Sequence, residues 1–123
     1  MKGKNSRLLG RWGEVQIADY LTSRGWRLLA AGWQCRFGEI DLIAENSQYI
    51  AFVEVKLRKD ASFSSAREAV DIKKQNRLRT AAALYLSLHP AERQPRFDVA
   101  EVYAPEGTET RRPHICYIED AFQ

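Results

Sequence analysis

The sequence predicts an α/β domain: about five strands in a sheet flanked by helices, in the order α-β-β-β-α-β-β. Three observations carry this. Residues 38–56 alternate apolar and polar side chains on either side of a short polar turn, the pattern of a β-hairpin. Two stretches have helical spacing, one from about Ser6 to Ser23 and one from about Ala66 or Asp71 to Leu88; they stop at Gly25 and at His89-Pro90. After the second helix, residues 96–103 and 114–118 return to strand-like alternation. A chain of 123 residues, 45% hydrophobic and 28% charged, suits one domain, 1–123, that can bury its own core.

Taken in order, residues 1–5 read as a basic tail ahead of the first helix. Within that helix Glu14 shares a face with Ile17, Ala18 and Leu21, so a carboxylate lies on or beside the core-directed side. It needs a partner, either Arg7 or Arg11 at the helix edge or a site inside the fold. Gly10 and Gly13 are poor helix formers and suggest close approach of another backbone or of DNA, or packing against the sheet. Residues 26–34 read as the first strand, with Trp26, Leu28 and Ala30 on one face, Arg27, Leu29 and Ala31 on the other, Gly32 marking a bulge or an end, and Trp33 in the core.

The hairpin follows. Ile40 and Leu42 are expected on one face, with Glu39, Asp41 and Ile43 on the other; Ala51, Val53 and Val55 oppose Phe52, Glu54 and Lys56. If Ser47-Gln48 is a two-residue loop, Asp41 lies directly opposite Glu54. Two carboxylates on adjacent apolar strands, with Lys56 along the same face, repel and are costly to desolvate together. A divalent cation resolves the conflict: Mg²⁺ takes one or two carboxylates plus waters and phosphate oxygens. The ordinary alternative is a wet-faced hairpin with an ion pair between Lys56 and an acid. Residues 57–64 read as a loop, Ser65-x-x-Glu68 as a capping box, and Ile72, Ala81, Leu84, Tyr85 and Leu88 as buried helix positions. Asp98 is expected to pair with an arginine or lysine as structural support rather than to bind metal.

Net charge is +3, but its distribution says more. Residues 1–36 carry seven Lys or Arg against two acids, and residues 57–80 carry seven against three. Basic segments therefore flank the acidic hairpin, the footprint expected for a phosphate backbone around a metal site. Arg11, Arg36, Arg58, Lys73, Lys74 and Arg77 are the candidate nucleic-acid contacts. Cys35 and Cys116 have no CxxC partner, and His89 and His114 stand isolated, so zinc is not expected. No apolar run approaches a membrane span and no signal-like segment opens the chain; a cytoplasmic protein with no membrane association is expected.

One ordered set of motifs runs through almost the whole chain: Gly10-Arg11-Trp12-Gly13-Glu14, Gly38-Glu39-Ile40-Asp41-Leu42-Ile43, Phe52-Val53-Glu54-Val55-Lys56, Lys74, and Arg96-Phe97-Asp98-Val99. An Asp closing one strand and Glu-x-Lys on the next resembles the core motif of the PD-(D/E)xK, restriction-endonuclease-like nucleases. The full set is most similar to the uncharacterised YraN-like bacterial proteins, themselves similar to archaeal Holliday-junction resolvases. Ile40 stands where the superfamily has its proline, a departure in backbone shape rather than in chemistry. The resemblance implies a restriction-endonuclease-like mixed sheet. It implies Glu14, Asp41 and Glu54 as ligands of Mg²⁺ (or Mn²⁺), Lys56 as the fourth catalytic residue, and Lys74 and Gln75 near the site. It further implies a metal-dependent endonuclease hydrolysing DNA phosphodiester bonds, at branched or duplex DNA. The alternative is a nucleic-acid-binding module of the same fold with little or no catalysis; a structural adaptor whose acids make only ion pairs is the third reading. The last strand or the tail is a candidate homodimer contact.

Overall fold

The computed structural model describes residues 2–60 and 70–123, with the side chains of the first helix described from Arg7 onward. The elements are α1 (Lys2–Thr22), β1 (Arg27–Cys35), β2 (Gly38–Glu45), β3 (Tyr49–Arg58), α2 (Ile72–Leu88), β4 (Gln94–Tyr103) and β5 (His114–Phe122), with a 3-10 turn at Gly107–Glu109 before β5. This is the expected order. The five strands form one mixed sheet in the order β1-β2-β3-β4-β5, in which only β3 and β4 are parallel. A parallel pair needs a crossover, and the segment containing α2 supplies it.

Each face of the sheet carries one helix and one core. Ile17 and Leu21 of α1 pack on Leu42, Ala44, Ala51, Val53, Ala100 and Val102. Leu78, Ala81, Ala82 and Tyr85 of α2 pack on Ile43, Ile50, Phe52 and Val99. Trp33 meets the Tyr85 ring edge-on at 5.3 Å, which places it in the α2 core as expected. Gly13 is buried against the sheet, since a Cβ there would lie 3.1 Å from Leu57; Gly10 has open space instead. Asp71 caps α2 by accepting the Lys74 N–H at 2.8 Å.

Several boundaries differ from the sequence reading. Residues 2–5 are helical, not tail. β3 runs through Leu57 and Arg58, because parallel pairing with Val102 and Tyr103 gives their backbone groups partners that no local pattern reveals. Ile72 and Leu88 are 67% and 60% exposed, being the end residues of α2, beyond the part packed on the sheet. The capping box at Ser65 and Glu68 and residues 61–64 of the expected loop lie outside the described residues. In β1 the register shifts between Leu28 and Ala30, so Leu29 and Ala30 both pack on the α2 side and simple alternation fails there. β2 changes face as well: Ile40 joins the α2 core while Leu42 joins the α1 core. The irregularity between them falls on Asp41.

Candidate metal centre

The hairpin turn sets the site. Asn46 Oδ1 accepts the N–H groups of Gln48 and Tyr49 at 2.8 and 2.7 Å, and the Asn46 N–H donates to Tyr49 O at 3.0 Å. A two-residue loop at Ser47-Gln48 results, and the β2–β3 register runs from Glu45↔Ile50 to Leu42↔Val53. The next step of that register sets Asp41 against Glu54. There the ladder ends: the Val55 N–H donates to Asp41 Oδ2 at 2.8 Å. The aspartate side chain thus enters the seam where the two strands part.

Three carboxylates converge at this opening. Oxygens of Glu14 from α1, and of Glu39 and Asp41 from β2, all lie within 4.8 Å of one another. Backbone shape makes room for them. Gly32 on neighbouring β1 has φ +63°, and a Cβ there would stand 3.0 Å from Glu39 Oε1 and 3.9 Å from Glu14 Oε1. The absence of a side chain at Gly32 therefore creates the space the two glutamates occupy. A cleft of about 820 Å³ opens beside them, with Arg7 and Arg11 of α1, Gly10 and Gly32 among its walls.

The electrostatics match the geometry. Asp41 is pushed up to about 8, first by burial, then by the charge of Glu54, with Glu14 and Glu39 adding to the rise and the Val55 N–H opposing it. Glu14 is raised by burial and by Glu39, with Arg11 pulling the other way. Glu54, only 4% exposed, contacts the Lys74 ammonium and has Lys56 Nζ at 3.6 Å. Burial and the neighbouring Lys74 lower Lys56. Lys74 is itself raised: burial pulls it down, and the hydrogen bond and charge of Glu54 more than offset this.

Of the residues singled out in the sequence, Glu14 and Asp41 therefore meet, Glu54 stands next to Asp41 with both lysines on its Oε1, and Lys56 faces Glu54. Lys74 serves Glu54 rather than projecting to solvent. Gln75 closes on its own helix, donating to Val70 O at 2.9 Å and accepting from Arg79 at 3.2 Å. Arg11, Arg36, Lys73 and Arg77 are exposed. Arg58 is held by Glu101 through Nε at 2.7 Å. Glu39 was not among the expected ligands, although strand alternation already put it on the same face as Asp41. Asp98 takes the structural role expected of it: Arg96 donates to it at 2.9 and 3.0 Å, the Tyr117 hydroxyl at 2.6 Å and the Asp120 N–H at 2.9 Å.

Fold and site together define a mixed α/β domain with a carboxylate cluster able to hold a metal ion. The chain belongs to the uncharacterised protein family UPF0102, whose pattern matches residues 13–102; this is the YraN-like family that the motifs resemble. UPF0102 proteins of Gloeobacter violaceus and Symbiobacterium thermophilum are 45% and 44% identical to it over 113 and 119 residues, covering 89% and 95% of this chain and 88% and 98% of theirs. One from Caldanaerobacter subterraneus is 42% identical over 104 residues, 84% of this chain and 85% of its own. No helix among the described residues is long and apolar enough to cross a membrane.

Proposed function

We propose that the protein is a metal-dependent endonuclease acting on DNA, with branched DNA as the substrate to examine first. One observation carries the reading: the Glu14, Glu39 and Asp41 oxygens within 4.8 Å of one another, beside a Glu-x-Lys strand. Four carboxyls, Glu39 and Glu54 included, meet Lys56 and Lys74 on one side and Arg11 on the other, which leaves negative charge in excess when all are ionised. A divalent cation offsets that excess, and hard carboxylate oxygens suit Mg²⁺ or Mn²⁺. Glu14, Glu39 and Asp41 would hold it, with Glu54 completing the acidic field on the Lys56 side. When bound, such an ion stabilises charge on a phosphoryl oxygen and makes its water more acidic.

The chain's own residues do the rest. Lys56, half-buried and with its ammonium near Glu54, is placed to orient an attacking water and to meet charge building on the phosphate. Exposed Arg11, Arg36, Lys73 and Arg77 supply phosphate contacts that position DNA without reading its sequence. The contact between Lys74 and Glu54 favours a second reading, a nucleic-acid-binding module with little catalysis, since it neutralises one of the acids without metal.

The test is cleavage of branched, single-stranded and duplex DNA with Mg²⁺ or Mn²⁺. Activity that disappears in Asp41→Asn and falls by orders of magnitude in Lys56→Ala supports the endonuclease. Salt-sensitive binding without cleavage supports the module. Binding to no DNA removes both.

A further inference from the structure

The polar face continues past Lys56. Parallel pairing of β3 and β4 sets Lys56 beside Glu101 and Arg58 beside Tyr103. Alternation puts all four on the same side as Glu54 and Val99, the side on which α2 packs. Two steps along β3 therefore lead from buried Glu54 to half-buried Lys56 and then to Arg58.

Glu101 is the unusual member. It is 1% exposed, and burying a carboxylate against a partly exposed partner is costlier than filling the position with an apolar side chain. Its two oxygens are both used: Oε2 accepts from Arg58 Nε at 2.7 Å, and Oε1 accepts from the Tyr103 hydroxyl at 2.9 Å. Arg58 gives Glu101 only its Nε. Its two terminal nitrogens donate to no described residue, and its side chain is 26% exposed. Arg96 provides the contrast: it commits Nε and a terminal nitrogen to Asp98, and its side chain is only 10% exposed. Arg96 is consumed by its carboxylate, whereas Arg58 is aimed by its own, and no described residue takes the terminal nitrogens that match oxygens of a phosphate.

We infer that Arg58, oriented by buried Glu101 and by Tyr103, forms a phosphate-binding subsite for a nucleic-acid strand, adjacent to the position served by Lys56. The inference rests on the nucleic-acid reading above. It assigns Glu101 as a positioning residue that touches no ligand, and it takes the phosphodiester next along the strand from the one at Lys56.

The sign of one substitution separates positioning from charge. If Glu101 acted only through its charge, Glu101→Gln would tighten DNA binding, because a negative charge is removed. Positioning requires the opposite. Affinity for labelled duplex, single-stranded and four-way-junction DNA is measured in Ca²⁺ across a salt series, so that cleavage is not the readout. Arg58→Ala is expected to weaken binding about tenfold and to reduce the salt slope by about one. Glu101→Gln weakens binding in the same direction and adds nothing in the Arg58→Ala background. Arg58→Lys keeps the buried charge pair, and hence the fold, but lacks the fork; it is expected to retain the slope and lose affinity severalfold. Wild-type affinity in both Arg58 variants, or tighter binding by Glu101→Gln, overturns the subsite and leaves the nuclease reading standing. A wild type that binds none of these DNAs overturns both.

Discussion

Two aspartates of the sheet, Asp98 on β4 and Asp41 on β2, are treated in opposite ways. Asp98, 1% exposed, receives four hydrogen bonds, from Arg96 twice, from Tyr117 and from the Asp120 backbone. The chain bends to deliver the last of these: the β4–β5 register shifts between Phe97 and Val99, and Asp120 adopts φ +50°. Among the described residues Asp41 receives one hydrogen bond, from the Val55 N–H, and Glu54, Glu14 and Glu39 all act on it as like charges. A buried carboxylate is tolerated when its lone pairs are filled and a counter-charge is close. Asp98 meets that condition within the chain. Asp41, half-buried, does not meet it among the described residues, and the deficit is the physical ground for proposing a cation here.

The largest expected effect lies at Asp98. Asp98→Ala would strand the buried Arg96 guanidinium and the Tyr117 hydroxyl, costing about 3–5 kcal/mol of stability. Denaturant melts check this, and no added metal should restore the loss. A cost under about 1 kcal/mol would mean that the network is worth no more than a surface ion pair and that the contrast with Asp41 is false.

The second effect is a pH dependence confined to the Asp41 side. The aspartate is raised from 3.8 to about 8, so the metal-free folded protein keeps a proton that the unfolded chain releases. Its stabilising contribution is whole below pH ~4 and is lost as pH rises through about 8; Glu14 shifts in the same direction. Relative to Asp41→Asn, the wild type should therefore lose on the order of a few kcal/mol between about pH 5 and pH 8.5. Urea titrations of both proteins at the two pH values give the difference directly. A mutant that loses as much as the wild type would show that Asp41 does not titrate in this range.

A smaller effect probes the space above β1. Gly32→Ala places a Cβ 3.0 Å from Glu39 Oε1 on a backbone at φ +63°. The left-handed conformation alone costs roughly 1–2 kcal/mol, and Glu39 must move. Both stability and affinity for Mn²⁺ should fall. Gly10→Ala, on the same cleft with open space around it, should gain up to about 1 kcal/mol in helix propensity. Equal effects at the two glycines would remove Gly32 from the account.

Much of this arrangement is legible in the sequence where local chemistry decides it. Asn46 and a two-residue loop fix the hairpin register, so the facing of Asp41 and Glu54 follows from periodicity and turn length alone. The helix acid Glu14 shows its inward position through its spacing to Ile17 and Leu21. What fails is what neighbours decide. Strict alternation puts Ile40 with Leu42, but the chain changes face at Asp41 because that side chain takes over the Val55 N–H. Glu39 shares a face with Asp41 in the sequence, yet its place in the cluster depends on Gly32 of another strand. Lys74 and Arg58 read as candidate nucleic-acid contacts, Lys74 near the site; their carboxylate partners, Glu54 and Glu101, are not legible, being 20 and 43 residues away in the chain.

The central proposal is that Asp41 takes a metal ion, since no described residue pairs with it as Arg96 pairs with Asp98. Titration calorimetry of wild type and Asp41→Asn with Mn²⁺ and Mg²⁺, paired with melts in the presence and absence of each ion, addresses it directly. The expected result is saturable binding by the wild type with a matching rise in its melting temperature, since an ion that binds only the folded state stabilises it by mass action. Asp41→Asn should bind far more weakly, respond little, and be level with or above the wild type in stability without metal. Equal binding by the two proteins, with neither melting temperature responding to the ion, would contradict the claim and leave the carboxylates as members of a salt-bridge network.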